Sequence, residues 1–465
     1  MEIVVDNVLS YVNGTKDEYR ALDKLLAVEV KNAFWIKQHT PQFDGMWHAF
    51  NRLRGSFPTG LIGRVRKGFP LAKIHDRRVK PRIIMQPKPD MLKTITLADF
   101  QLDAITAALH HGRGVLALAV NSGKSACATA ISLCVAGRTL WLVHRKDLMY
   151  QSAEMYEQYT GQKPARFGDH IYEDITTRAV TIAIVQAINL ALDGQKNMLE
   201  GFSTLILDEG HALGPPKRFY KVAQFCPAYV RIAMSGTPWN PKDPERNLKL
   251  EATTGPEIAK IKSSKLIEIG WSARPTMFYH DGFGGARSFG PWAEARRTVI
   301  EDCPNRNRIV LAVARKAAEE GKACLIMCDT IRHCRMICDH LVELNLDAKL
   351  VTGQHKGKDR VEVRQNFRAG IVPIVVSSPT WDAGISIENI RILVIAAGGE
   401  SAQRYLQRVG RGMRIMKNKT AVEIHDFVDG GSKHTLKHTI SRIKTARDEG
   451  FEIVEVDHSK ETANA

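Results

Sequence analysis

The sequence predicts an α/β protein in which two parallel-sheet domains stand in tandem behind a small, basic α+β N-terminal domain. Three observations predict it. Between residues 93 and 240 the short apolar runs GVLALAV, TLWLVH, VTIAIV, TLILDE and VRIAMSG alternate with longer helical stretches such as 125–136 and 147–159. Strands alternating with helices imply a parallel sheet covered on both faces. After a polar stretch rich in Pro and Lys (240–265) a second series follows: ACLIMC, AKLVTG, VPIVVSS, RILVIAA and AVEIHDF, again with helical segments between. The third observation is charge, which sets the first 92 residues apart. Boundaries are therefore expected at 1–92, 93–272 and 273–457, with 458–465 a disordered tail.

The chain of 465 residues carries 66 Lys+Arg against 50 Asp+Glu, a net charge of +16. That excess is local. Residues 1–50 hold 5 basic and 7 acidic groups, and 94–240 hold 13 and 12, but 51–93 hold 12 basic groups against Asp76 and Asp90 alone. Such a concentration is either an electrostatic footprint for a polyanion, most often nucleic acid, or a solvated basic face. Phe43, Trp47, Phe50 and Phe57 read as the core of this small domain, and Arg52, Arg54, Arg64, Arg66 and Lys67 as its expected phosphate contacts. The N-terminus MEIVVDNVLS does not read as a secretory signal, and no apolar run approaches the roughly 18 residues that span a bilayer. Eight cysteines are too sparse for a disulfide framework. A cytoplasmic protein without membrane attachment is expected. Cys324, Cys328, Cys334 and Cys338 read as core positions on a strand and the following helix rather than as metal ligands.

The first chemical signal is Asn121-Ser122-Gly123-Lys124-Ser125, between the apolar run GVLALAV and the helical ACATAISLC. A loop joining strand to helix aims backbone N–H groups at an anion; Lys124 adds a point charge for β- and γ-phosphates and Ser125 a hydroxyl for Mg²⁺. The full phosphate-loop pattern has a glycine five positions before Gly123, where Leu118 stands, and often one where Asn121 stands. Next comes TLILDEGH, an apolar strand ending in Asp208 and Glu209. A nucleoside triphosphatase holds Mg²⁺ through such an Asp and orients the attacking water through the next Glu. In the second domain QRYLQRVGRGMR spaces Arg408, Arg411 and Arg414 every three residues, with Gly410 and Gly412 between them. Arginines so clustered either stabilise charge on a transferred phosphoryl group or bind nucleic-acid phosphate as a basic turn.

With GKS, DEGH and QRxGRxxR in that order, the sequence resembles the superfamily 2 helicases from about residue 93 to 456. The resemblance implies RecA-like domains, ATP and Mg²⁺ as cofactors, and further sites matched residue by residue. Phe100 and Gln101 resemble the aromatic-Gln pair whose Gln reads adenine. LVHRKDLMYQ, with His144 and Arg145, resembles a DNA-contacting motif, and IAIVQAINL the next, with Ile184 where Thr is common. MSGTPW resembles the motif whose Ser235 and Thr237 couple hydrolysis to domain movement. SSPTWDAGISI implies that Asp382 and Gly384 bridge nucleotide and DNA sites, while Gln407 and Arg408 join the nucleotide contacts. DEGH, with Gly210, names no subfamily. The segment FDGMWHAFNRLRGSFPTGLIGRVRKG resembles the small domain ahead of the motor in bacteriophage recombination helicases of the UvsW type, which implies action on branched or forked DNA. Two other functions remain open in the sequence: a double-strand translocase or RNA helicase with the same motor, and a non-enzymatic DNA-binding or annealing protein with a degenerate nucleotide site.

Overall fold

The computed structural model describes all residues except 32, 41, 211–216, 356, 380–386, 417 and 460–465. It divides into two compact units, Met1–Ile261 and Lys262–Ala465.

The first unit begins with a four-stranded sheet in the order Ser56–Pro58, Leu9–Asn13, Glu2–Val5, Lys73–Asp76. The helix Lys16–Leu25 opens with a capping box, Thr15 and Glu18 each satisfying the other's backbone N–H, and buries Leu22. Phe50 and Phe57 are core residues, as the sequence suggested, and share their cluster with Leu248 and Ala252 of the helix Pro244–Thr254. Gly60 lies so close to that helix that a Cβ there would stand 2.2 Å from the Glu251 carbonyl oxygen. The basic segment therefore folds onto the sheet domain as part of one body.

That domain is an eight-stranded sheet in the order Ile171–Tyr172, Ala165–Gly168, Val180–Ile184, Arg138–Val143, Phe202–Asp208, Val230–Ser235, Arg113–Leu118, Glu257–Ile261. Every pairing is parallel except the Ile171–Tyr172 edge. One apolar cluster, with Ile131 and Trp141, fills one face, and another, with Leu205 and Val222, fills the other. Burial on both faces explains why the strands read as continuous apolar runs.

The polar stretch 240–265 carries regular structure. It holds the helix Pro244–Thr254, with Asp243 as N-cap, and the edge strand Glu257–Ile261, which pairs with Arg113–Leu118. An edge strand is half-solvated, so its EIAKI pattern lacks the apolar continuity that marks the central strands. The division consequently falls after Ile261, ahead of the expected 272/273 boundary; the next helix, Ser263–Glu268, buries Leu266, and the Ser263 N–H donates to Glu449 within the second unit.

The second unit is a seven-stranded, wholly parallel sheet: Ala348–Val351, Ile374–Ser377, Cys324–Met327, Ile392–Ile395, Ala421–Phe427, Arg274–Asp281, Glu452–Asp457. Cys324, Cys328, Cys334 and Cys338 are all buried in its core. The expected disordered tail is corrected at its start: the His458 N–H donates to the Asp281 carbonyl, continuing the sheet edge, and its imidazole meets His280 at 2.9 Å. Among the described residues no helix is long and apolar enough to cross a membrane.

Candidate functional site

The site grows from the strand Arg113–Leu118; Val230–Ser235 pairs with it, Phe202–Asp208 pairs with Val230–Ser235 on the far side, and the three run parallel. Between that strand and the helix Lys124–Cys134 the chain makes a tight loop with two left-handed residues, Asn121 (φ +68°) and Gly123 (φ +79°). Asn is among the few non-glycine residues that enter this region readily, so Asn121 serves where the phosphate-loop pattern often has glycine. Gly123 cannot be replaced as easily, since a Cβ would stand 2.3 Å from Gln101 Nε2.

Gln101 explains that proximity. Its Nε2 donates to the Ser122 carbonyl (2.8 Å), its Oε1 accepts from the Ala98 N–H (2.9 Å), and the side chain is 1% exposed. The resemblance assigned it to adenine; in the structure its amide ties the phosphate loop to the start of the helix Asp99–His111. Phe100 beside it is half-buried.

Lys124 Nζ lies 3.5 Å from the carbonyl oxygens of Leu118 and Ala119 and 3.9 Å from Glu209 Oε1. It thus stands between the loop and the acidic pair. Asp208 closes its strand almost wholly buried, and its Oδ1 accepts the Glu209 N–H at 2.9 Å. Glu209 is itself left-handed (φ +51°), which turns the chain at the strand end. Burial, then the Glu209 carboxylate, push the Asp208 pKa up to about 6 against the pull of Lys124. Asp208 and Glu209 at the strand end and Ser125 in the first turn of the helix Lys124–Cys134 carry hard oxygen donors, the kind a small divalent cation takes. The Ser235-Gly236-Thr237 turn lies against the loop: the Thr237 N–H donates to Ser235 Oγ (3.1 Å), and a Cβ on Gly236 would stand 3.4 Å from the Leu118 oxygen.

His144 follows the strand Arg138–Val143, beside the strand that carries Asp208. Its imidazole is half-buried, its Nδ1 has no hydrogen-bond partner among the described residues, and burial lowers its pKa, with Glu209 opposing. Arg145 is partly exposed, with Nη2 3.4 Å from Asp147.

The expected DNA-contacting residues of the N-terminal segment separate into two groups. Arg64 is bidentate on Glu251, and Arg52 pairs with the buried Asp23, so both are spoken for by carboxylates. Arg54, Arg66 and Lys67 are exposed, with no carboxylate within ion-pair distance among the described residues. Sequence alone could not separate them, because Glu251 is 187 residues from Arg64.

In the second unit the arginine motif forms the helix Ala402–Gly412, capped by Ser401. Arg408 is corrected from a nucleotide contact to an internal tie: it is 2% exposed, and its Nη2 donates at 2.8 Å to Asp329 Oδ1, whose Oδ2 accepts the Gly398 N–H. Gly412 serves packing, bringing the helix so close that a Cβ would meet Val422 Cγ2 at 2.9 Å. Gln407, Arg411 and Arg414 remain half-buried at the helix and just beyond it, and burial lowers the Arg414 pKa. Asp382 and Gly384 lie outside the described residues. Sequence reasoning missed Asp329, whose place after an apolar strand in MCDT was its one available signal, and Lys419, which had none.

Comparison with known proteins places these motifs. Residues 94–240 match the family model of the type III restriction enzyme res subunit, and residues 295–416 match that of the helicase conserved C-terminal domain. The chain is 25% identical over 391 residues to the DNA 3'-5' translocase XPB2 of Sulfurisphaera tokodaii, covering 75% of this chain and 85% of that one. It is 23% identical over 385 residues to the ATP-dependent DNA helicase uvsW of Enterobacteria phage T4, covering 76% of each. Among solved structures, S. cerevisiae Dbp5 bound to RNA and ADP BeF3 superposes with a TM-score of 0.56 at 14% identity, over 78% of this chain and 91% of that one.

Proposed function

The chain belongs to the superfamily 2 helicases, and from that premise we propose that it is an ATP-dependent DNA helicase that works on branched or forked DNA. Its family makes it a nucleic-acid-dependent ATPase and DNA helicase. The observation that carries the nucleotide site is the convergence of Lys124 with Asp208 and Glu209 at the edge of one sheet. Lys124 holds the β- and γ-phosphates while the N–H groups of the Asn121–Gly123 loop receive their oxygens. Ser125 and Asp208 hold Mg²⁺, which when bound neutralises phosphate charge. Glu209 orients the attacking water and takes its proton. Arg411 and Arg414 supply positive charge to the transferring phosphoryl group, and the cycle of hydrolysis drives stepping along one strand.

Support for DNA comes from the names of the two relatives, a DNA translocase and a DNA helicase, and from Arg54, Arg66 and Lys67, exposed cations without carboxylate partners among the described residues. The branched substrate rests on the resemblance of residues 43–68 to the phage recombination helicases. A synthetic four-way junction tests it: the protein with ATP should resolve the junction into forks, and Lys124→Ala should bind the junction without resolving it. Resolution by Lys124→Ala, or none by the wild-type chain on any branched DNA, refutes the proposal.

A further inference from the structure

Lys419 is fully buried, yet among the described residues no carboxylate lies within ion-pair distance of its ammonium. A buried cation without a counter-charge is costly unless carbonyl dipoles meet it. Two do: Nζ donates to the Gly412 oxygen at 2.5 Å and to the Glu388 oxygen at 3.0 Å. Gly412 is the last residue of the helix Ala402–Gly412, whose end carries partial negative charge, so the contact is electrostatically favourable as well as directional.

Its position in the chain gives that contact meaning. Arg414 sits between Gly412 and Met416, in a loop outside any helix or longer strand. Lys419 closes that loop twice. Its backbone exchanges two hydrogen bonds with Met416 (3.0 and 3.3 Å), and its side chain reaches back past Arg414 to Gly412. A third tie, from the Ala273 N–H to the Met413 oxygen (2.8 Å), fixes the residue before Arg414. Glu388, the other end of the Lys419 bridge, is also the carboxylate whose charge acts on Arg414.

We propose that Lys419 is a positioning residue for Arg414, tying the loop that carries it to Gly412 and to Glu388 and so fixing the direction of its side chain. The inference rests on the role given to Arg414 above. An arginine misdirected by an ångström loses transition-state stabilisation while ground-state nucleotide binding persists.

The experiment uses the full chain with saturating single-stranded DNA. Arg414→Ala should lower kcat for ATP by roughly 10³-fold. Lys419→Met should lower kcat at least about tenfold, leave KM for ATP within about twofold, and weaken binding of ADP with aluminium fluoride in proportion to kcat. Lys419→Arg, which keeps charge and donors but shifts them outward, gives the same readout if the methionine variant does not fold. A kcat within twofold of wild type in the folded Lys419 variant, or a loss carried by KM, overturns the proposal. If Arg414→Ala itself leaves kcat unchanged, the role of Arg414 fails instead, and the two failures are thereby told apart.

Discussion

Gly123→Ala probes how the phosphate loop is held. At φ +79° an alanine costs about 1–2 kcal/mol through its Cβ alone. The same Cβ would stand 2.3 Å from Gln101 Nε2, so the amide must leave its 2.8 Å bond to the Ser122 oxygen. Stranding that buried carbonyl adds about 1–3 kcal/mol, for a total of about 2–5 kcal/mol. In a Gln101→Ala background the colliding atom is gone, and Gly123→Ala should cost only about 1–2 kcal/mol. The two substitutions should therefore be coupled by about 1–3 kcal/mol. Urea unfolding measures this in the four proteins, read on the transition that ATP shifts, since that transition reports the nucleotide-binding unit. Equal costs in both backgrounds, within about 0.5 kcal/mol, would refute the argument that Gln101 braces the loop.

The folded pKa of Asp208, about 6, lies above its ordinary 3.8, so the folded protein binds the extra proton between those values. The stabilising contribution of Asp208 is whole below about pH 3.8 and is lost as pH rises through about 6. Without divalent cations Asp208→Asn should then be more stable than wild type by up to about 3 kcal/mol at pH 7–8, the gap closing near pH 4, while hydrolysis is abolished. A pH-independent gap in thermal unfolding would contradict this. On duplex DNA, replacing Arg54, Arg66 and Lys67 with Gln should flatten the salt dependence of log K by up to about 3, at about 0.9 per phosphate contact. Arg64→Gln and Arg52→Gln should leave that slope unchanged, because their carboxylate partners already neutralise them; an equal loss of slope would reverse the assignment.

The parallel sheets were legible because strands buried on both faces are apolar throughout, and each phosphate-site motif falls on the strand, loop or helix start its pattern implies. What escaped the sequence has a common physical character. The strand Glu257–Ile261 is half-solvated and carries a lysine, so it read only as part of a polar stretch. Arg52 and Arg64 were expected on DNA phosphate and Arg408 at the nucleotide, and distant chain segments supply each with a carboxylate, Asp23, Glu251 and Asp329. The bracing of the phosphate loop by Gln101 runs through backbone groups, which leave no trace in side-chain patterns. Lys419 lies in a run of polar residues, and its burial follows from a loop closure that no periodicity announces.

The most direct test of the account is ATP turnover by the intact chain, measured with a four-way DNA junction, duplex DNA, single-stranded DNA and RNA at matched nucleotide concentration. Turnover should be stimulated by DNA, most strongly by the junction, and lost in Lys124→Ala. Stimulation by RNA in preference to every DNA, or turnover indifferent to nucleic acid, would contradict it.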